Sequence, residues 1–245
     1  MRLHTVLALG GAALALAVRA EAAPTVSLTA TSSVSGDSLS LSPTLTANPD
    51  GSFSTSGSAT KPSFSLVFSL QLRADPSLVG SFTLQNLSSS TQFFSVSATM
   101  TVPPVGAPTR MGGYYGDVTY TDTGGGDGSV TVATNGIDPF YRAQIDGVTV
   151  QSLGSFNLTA FGGPGAFGTI SQQTWGTPIP SAAGPGVAGS IGVSFPAFSV
   201  TPGDTISVPF EFVVNAPEPS FASLFATGGT LILLATARRK LFHRA

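Results

Sequence analysis

Apolar and polar residues alternate with a period of two along much of this chain. The clearest case is a run of apolar residues at every second position, namely Phe64, Leu66, Phe68, Leu70 and Leu72. Successive side chains of a β-strand point to opposite faces, so this spacing predicts a strand with one buried face and one solvent-exposed face. We expect it to lie in the centre of a sheet.

Three further segments show the same alternation. They cover residues 94–102, 191–200 and 205–214. In the last segment the apolar face is Ile206, Val208, Phe210, Phe212 and Val214. Pro209 falls on the opposite face of that segment. Because proline has no N–H to donate, it predicts that the final strand lies at a sheet edge or is bulged at this position.

Turn signals separate these strands. Gly36-Asp37 indicates an opening hairpin, and Asn48-Pro49-Asp50-Gly51 is typical of a turn. Asp146-Gly147 predicts a type I′ turn between two short strands, because both residues tolerate positive φ. About ten to twelve short strands in this order predict a mainly β fold. We expect a single antiparallel β-sandwich, jelly-roll-like, over residues 23–214.

Composition narrows the possible partners. Glu and Lys, which favour helices, occur once each in residues 23–216, so no long amphipathic helix is expected. The same segment carries ten acidic and four basic side chains, a net charge of −6. This charge excludes strong electrostatic binding to nucleic acid or anionic lipid. The chain has no cysteine, so the hydrophobic core must hold the fold without disulfides.

The N-terminus has the pattern of a secretory signal peptide. Arg2 precedes an apolar run over residues 6–18, and small residues follow it. We predict a signal peptide over residues 1–22 that is cleaved after Ala22, which places Ala20 and Ala22 at the small-residue positions. The alternative is an anchor that is not cleaved, although the apolar run is short for a full membrane span.

The C-terminal segment, residues 215–245, combines three features in a fixed order. Pro217-Glu218-Pro219 keeps the chain extended, because each proline disfavours helix at the residue before it. An uncharged apolar span of 17 residues, 221–237, follows. As a transmembrane helix it would reach about 26 Å, close to the hydrocarbon thickness of a bilayer. Arg238-Arg239-Lys240 then marks the cytoplasmic side, so the body is expected outside.

This tripartite order resembles the PEP-CTERM sorting signal. In that family the signal is recognised and cut by exosortase, a multi-pass membrane enzyme of bacteria that secrete exopolysaccharide. The resemblance implies an exported protein, anchored at the inner membrane and then cut near Pro217-Glu218-Pro219. The body over residues 111–214, particularly its 140–148 hairpin, is similar to bodies found ahead of such tails, which implies a β fold and a surface location. A tail anchor that stays uncut is the alternative.

The residue types in the body argue against enzymatic chemistry. The two histidines, His4 and His243, lie in the predicted signal peptide and in the basic tail. Without histidine or cysteine, the body cannot form a Ser-His-Asp triad, a Cys-His pair or a metal site built on imidazole or thiolate. We therefore name no catalytic, cofactor-binding or metal-ligating residue and expect no cofactor.

Aspartates are the remaining candidates for chemistry. Most adjoin Gly or Pro, as in Asp50-Gly51 and Asp138-Pro139, which is typical of turn residues. Asp117, Asp122 and Asp127 could instead bind Ca²⁺ through oxygen, although the spacing of an EF-hand loop is absent. A pair of aspartates could also hydrolyse a glycosidic bond if the fold held them about 5 to 10 Å apart.

Three aromatic residues suggest a carbohydrate ligand. Trp175, Tyr114 and Tyr115 could form a platform for sugar rings, although aromatics of a β-sandwich more often belong to its core. The sequence thus predicts a non-enzymatic exported protein of the cell surface or the extracellular biofilm matrix. Its predicted partners are exosortase and, transiently, the membrane. A carbohydrate-binding module for exopolysaccharide is the alternative, and a hydrolase with an Asp pair is a third hypothesis.

Overall fold

The computed structural model describes residues 23–33, 37–73, 75–123, 129–161 and 165–216. No helix in these segments is long and apolar enough to cross a lipid bilayer. The predicted signal peptide with its cleavage site at Ala22 lies outside the described residues. The predicted tail, with Pro217-Glu218-Pro219, the span 221–237 and Arg238-Arg239-Lys240, also lies outside them.

The described residues form eighteen strands. In chain order these are β1 (Val26–Ser32), β2 (Ser38–Leu41), β3 (Thr46–Ala47), β4 (Phe53–Thr60), β5 (Phe64–Arg73), β6 (Ser77–Asn86), β7 (Gln92–Thr101), β8 (Thr109–Tyr115), β9 (Val118–Thr121), β10 (Ser129–Thr134), β11 (Tyr141–Ile145), β12 (Val148–Leu153), β13 (Asn157–Phe161), β14 (Phe167–Ile170), β15 (Gln173–Trp175), β16 (Ala182–Gly184), β17 (Ser190–Val200) and β18 (Thr205–Asn215).

These strands form two antiparallel sheets. Sheet A has the order β12-β11-β17-β7-β1-β2, with β10 beside the second half of β17 and β13 beside β10. Sheet B has the order β14-β9-β18-β6-β5-β4-β3, with β8 beside the second half of β18. Strands β15 and β16 pair with the other side of β8. The prediction of a mainly β fold is confirmed, and two antiparallel sheets are consistent with a β-sandwich.

The period-two segments form long strands of both sheets. In β5 the inward-facing residues Phe64, Leu66, Phe68, Leu70 and Leu72 are at most 5% exposed and alternate with more accessible positions, and β5 lies between β4 and β6. Strands β7 and β18 show the same alternation. The predicted central strand with one wet face is therefore confirmed in β5.

The prediction for Pro209 is wrong about the sheet edge but right about an irregularity, because the register of β18 shifts by one residue between its pairing with β8 and its pairing with β9. Strand β18 lies inside sheet B, and its register with β6 continues without a shift from Thr205 to Val213. The carbonyl oxygen of Pro209 accepts a hydrogen bond from the N–H of Gly116 at 2.8 Å. Gly116 lies between β8 and β9, so the missing N–H of Pro209 faces the gap between two strands. A proline is tolerated there because no ladder bond is required.

The Asp146-Gly147 turn has the predicted geometry. It joins β11 to β12, and the φ angles are 50° at Asp146 and 78° at Gly147. Both central residues of a type I′ turn need positive φ, which Asp and Gly adopt more readily than other residues. The turn thereby sets the pairing of β11 with β12.

Aromatic rings from the two sheets meet in one core. Phe82 of β6 contacts Phe195 of β17 edge to face, with 5.1 Å between the ring centroids. Phe64 of β5 contacts Phe94 of β7 in the same way at 5.8 Å. Edge-to-face pairs add about 0.5 to 1.5 kcal/mol beyond the burial of their area. The two sheets are thus held face to face by packing rather than by covalent links.

Candidate functional site

Two aspartates stabilise their own turns. Asp50 accepts hydrogen bonds from the hydroxyl of Ser52 at 2.6 Å and from its backbone N–H at 3.0 Å, and it lies 3.2 Å from Arg73. The hydrogen bonds from Ser52, together with the charge of Arg73, hold the pKa of Asp50 below its ordinary value. Asp138 forms an ion pair with Arg142. The oxygens of these two carboxylates already accept hydrogen bonds or form ion pairs within their turns, so few of their lone pairs remain for a ligand.

Asp146 ties its turn to the chain ahead of β17. Its carboxylate accepts hydrogen bonds from the backbone N–H groups of Ala188, Gly189 and Ser190, at 2.7 to 2.9 Å. Although the small loss of solvent raises the pKa of Asp146, these N–H donors lower it on balance. The charged form is therefore the one that the fold stabilises.

The three aspartates proposed for Ca²⁺ do not form one cluster among the described residues. Asp117 precedes β9 and Asp122 follows it, so the strand separates them by about 17 Å at the usual rise per residue. Asp117 accepts a hydrogen bond from the N–H of Gln172 at 2.9 Å. Asp122 is buried, at 2% exposure. Asp127 lies outside the described residues.

The three aromatics proposed as a sugar platform lie in different environments. The side chain of Tyr115 is fully buried. Trp175 is partly buried against the core, and its ring centroid lies 5.9 Å from that of Phe212. Tyr114 lies on the outer face of β8 and is half-buried. Of the three, Tyr114 is thus the one on a face where a ligand could reach it.

A polar groove lies on the outer face of sheet B, and one of its lining residues, Glu211, is paired with Tyr114. The outer groove, as we call it, has a volume of about 350 Å³ and crosses β5, β6 and β18. Its charged and amide side chains are Gln71, Arg73, Asp75, Glu211 and Asn215. Guanidinium and amide groups donate hydrogen bonds and carboxylates accept them, so the groove presents both kinds of group. This mixture suits a neutral, hydroxyl-rich ligand.

Tyr114 is a direct neighbour of Glu211, which lines this groove. They are paired residues of β8 and β18. Partial burial raises the pKa of Tyr114, and the negative charge of Glu211 and a hydrogen bond to it raise this pKa further. The hydroxyl of Tyr114 therefore stays protonated at neutral pH and remains a donor. An aromatic face next to a carboxylate is a suitable element of a sugar site.

Sequence reasoning did not find the outer groove. Its residues come from β5, the β5–β6 turn, β6 and β18, and β18 is far from the others in the chain. Two features of the sequence could have indicated polar groups on this surface. Gln71 and Arg73 occupy outward positions of β5, and Glu211 is the only glutamate in residues 23–216. Asp75 and Glu211 are carboxylates of one groove, and the hydrolase hypothesis stays a prediction.

The chain matches no protein-family model, and a comparison with curated proteins gave no match.

Proposed function

We propose that this protein is a non-enzymatic, exported component of the bacterial cell surface or extracellular matrix. Its body is a single β-sandwich, jelly-roll-like, over residues 23–214. The C-terminal helix holds the precursor at the inner membrane until exosortase cuts near Pro217-Glu218-Pro219. The signal peptide is removed after Ala22 by the general export pathway.

The order of features in the tail is the observation that carries this proposal. An extended tripeptide, an uncharged span of bilayer length and a basic end follow one another without interruption. Strand β18 ends at Asn215, two residues before Pro217, so the proposed cutting site follows the body directly. A short, extended segment next to the membrane is accessible to a membrane-embedded peptidase.

The composition of the body supports an extracellular location. It has no cysteine, so it folds in the same way in reducing and oxidising compartments. Its net charge of −6 favours solubility and disfavours adhesion to the anionic envelope. Its lack of histidine and cysteine removes the commonest nucleophile and base pairs, which supports a structural or binding role.

Processing of the tail is the direct test. In the producing bacterium we expect the released protein to begin at Ala23 and to lack residues 221–245. In a strain without exosortase we expect the chain to keep these residues and to stay with the membrane. Intact-mass measurement and C-terminal peptide mapping of both fractions distinguish the two states.

A motif variant sharpens this test. Replacing Pro217-Glu218-Pro219 by three alanines should block cutting in the wild-type strain, because the segment can then extend the helix. Pro104→Ala, which changes an exposed proline more than 100 residues before the motif in the sequence, is the matched control and should be processed normally. Release of an uncut chain from the wild-type strain, or unchanged cutting without exosortase, would contradict the proposal.

The outer groove favours one second function, binding of exopolysaccharide. Tyr114 offers an aromatic face, and Gln71, Asp75, Glu211 and Asn215 offer hydrogen-bonding groups along the same surface. A neutral polysaccharide is compatible with a body that carries excess negative charge. The partner in this function is a chain of sugar units rather than a small ligand, because the groove is open at the surface.

Retention on the host's own exopolysaccharide tests this second function. We expect Gln71→Ala and Tyr114→Ala each to weaken retention about tenfold, the effect of one lost hydrogen-bonding or stacking group. Phe93→Ala, on the outer face of sheet A, is the control and should bind as the wild type does. Trp175→Ala is unsuitable as a probe because its ring packs on Phe212. If the wild-type protein is not retained, the groove does not bind this polysaccharide.

A further inference from the structure

One carboxylate of the core has no visible partner. Asp122 is 2% exposed, and neither of its carboxylate oxygens has a hydrogen-bond partner in the part of the chain that the structure describes. Its backbone is fixed: the N–H donates to the oxygen of Ala166 at 2.8 Å, and the carbonyl accepts from the N–H of Gly165 at 3.0 Å. The side chain therefore cannot reach solvent by a simple shift of the strand end.

A second buried carboxylate lies across the ladder from Asp122. Strand β9 pairs with β18 in the register Thr121↔Thr205 and Tyr120↔Ile206. One step further along this register places Asp122 opposite Asp204, which is 0% exposed. Both residues continue the core-facing positions of their strands, so their Cβ atoms are about 5 Å apart.

The connection from β17 to β18 completes this site. The hydroxyl of Thr201 donates to a carboxylate oxygen of Asp204. The backbone N–H of Asp204 donates to the oxygen of Thr201 at 3.3 Å, and its carbonyl accepts from the N–H of Asn86 at 2.9 Å. The two carboxylates are thus held at the end of the core where β9, β17 and β18 meet.

The basic residues of the body do not neutralise Asp122. Residues 23–216 contain four basic side chains. Among the residues described, two of them form ion pairs with Asp50 and Asp138, and a third donates to the carbonyl oxygen of Ser181. The fourth, Lys61, lies in the β4–β5 turn, and no described ion pair includes Asp122. A buried carboxylate is costly unless it is paired or coordinates a metal ion.

We propose that Asp122 and Asp204 bind one Ca²⁺ ion. Every candidate ligand at this place is an oxygen, which matches a hard cation and not a metal that prefers nitrogen or sulfur. Water molecules complete the coordination, because two carboxylates supply at most four of the six to eight ligands that Ca²⁺ takes. The ion links β9 to the β17–β18 connection and offsets the buried negative charge of Asp122. This site does not depend on the proposed export or on the outer groove.

Few protein ligands imply modest affinity. Extracellular Ca²⁺ modules have dissociation constants of about 10⁻⁴ to 10⁻³ M, and a site with two carboxylates belongs at this end of the range. It is filled at the millimolar Ca²⁺ concentrations found outside cells and is empty in the cytoplasm. The metal would therefore stabilise the body only where the Ca²⁺ concentration is millimolar.

Thermal unfolding of the full chain in detergent tests the site. At Ca²⁺ concentrations near 100 times the dissociation constant, we expect the melting temperature to rise by about 5 to 10 °C relative to excess chelator. Isothermal titration should give one Ca²⁺ per chain. Asp122→Asn should abolish both effects, and Asp117→Asn, at the other end of β9, should leave both unchanged.

Folding of the variant is checked in chelator. There Asp122→Asn should melt at or above the wild-type temperature, because it removes an uncompensated buried charge. The proposal is overturned if Ca²⁺ leaves the wild-type melting temperature unchanged, or if Asp122→Asn still binds Ca²⁺.

Discussion

Replacing Phe195 by alanine should destabilise the body by about 3 to 5 kcal/mol. The side chain is 1% exposed and contacts rings from both sheets. Its ring centroid lies 5.1 Å from Phe82, 5.3 Å from Phe140, 5.5 Å from Phe210 and 5.7 Å from Tyr141. Truncation removes these contacts and leaves a cavity that the two sheets cannot close without shifting. Urea unfolding of the full chain in detergent measures the change.

The matched control for this variant is Phe167→Ala. Phe167 is 71% exposed at the start of β14, so its loss should change stability by less than about 0.5 kcal/mol. The slope of the unfolding free energy against urea should be the same in both variants, since it follows the area exposed on unfolding. Equal stability of Phe195→Ala and wild type would mean that the two sheets do not pack as described.

Gly113→Ala, which adds a single methyl group, should lower the free energy of unfolding by about 3 kcal/mol. Gly113 lies in β8 opposite Phe212 of β18. A Cβ atom there would lie 2.4 Å from the carbonyl oxygen of Glu211 and 2.9 Å from the hydroxyl of Tyr141. That hydroxyl donates to the same carbonyl at 2.9 Å. Gly113→Ala must therefore separate β8 from β18 or break a buried hydrogen bond.

Gly106→Ala is the control for this effect. No atom lies within 4 Å of a Cβ built at Gly106, so alanine there should be neutral within about 0.5 kcal/mol. Urea unfolding gives both values, and near-ultraviolet circular dichroism should show a changed tyrosine environment only in Gly113→Ala. If the two variants are equally stable, the close approach of β8 to β18 is not a constraint on this fold.

Local patterns predicted the strands well because burial on one face of a sheet imposes a period of two. Strands β5, β7 and β18 follow directly from this alternation, and the turn at Asp146-Gly147 follows from the need for positive φ. These features depend on residues close together in the chain. The mainly β fold could therefore be predicted without knowledge of the sheet order.

Features that depend on strand order could not be predicted. Pro209 indicated an edge or a bulge, but the gap between β8 and β9 accommodates it inside sheet B. The burial of Tyr115 and the partial burial of Trp175 likewise depend on neighbours from other strands. Asp122 and Asp204 meet only because β9 pairs with β18. No periodicity within one segment contains this information.

The position of β18 has a consequence for the order of folding. It is the last of the described strands, yet it lies inside sheet B and pairs with β6, β8 and β9. During synthesis the ribosome delivers it after every neighbour that it joins. Until β18 is present, no strand joins β6 to β8 and β9. Pairings between strands that are far apart in the chain form slowly. For the export that we propose, this order means that sheet B stays incomplete until β18 has been synthesised.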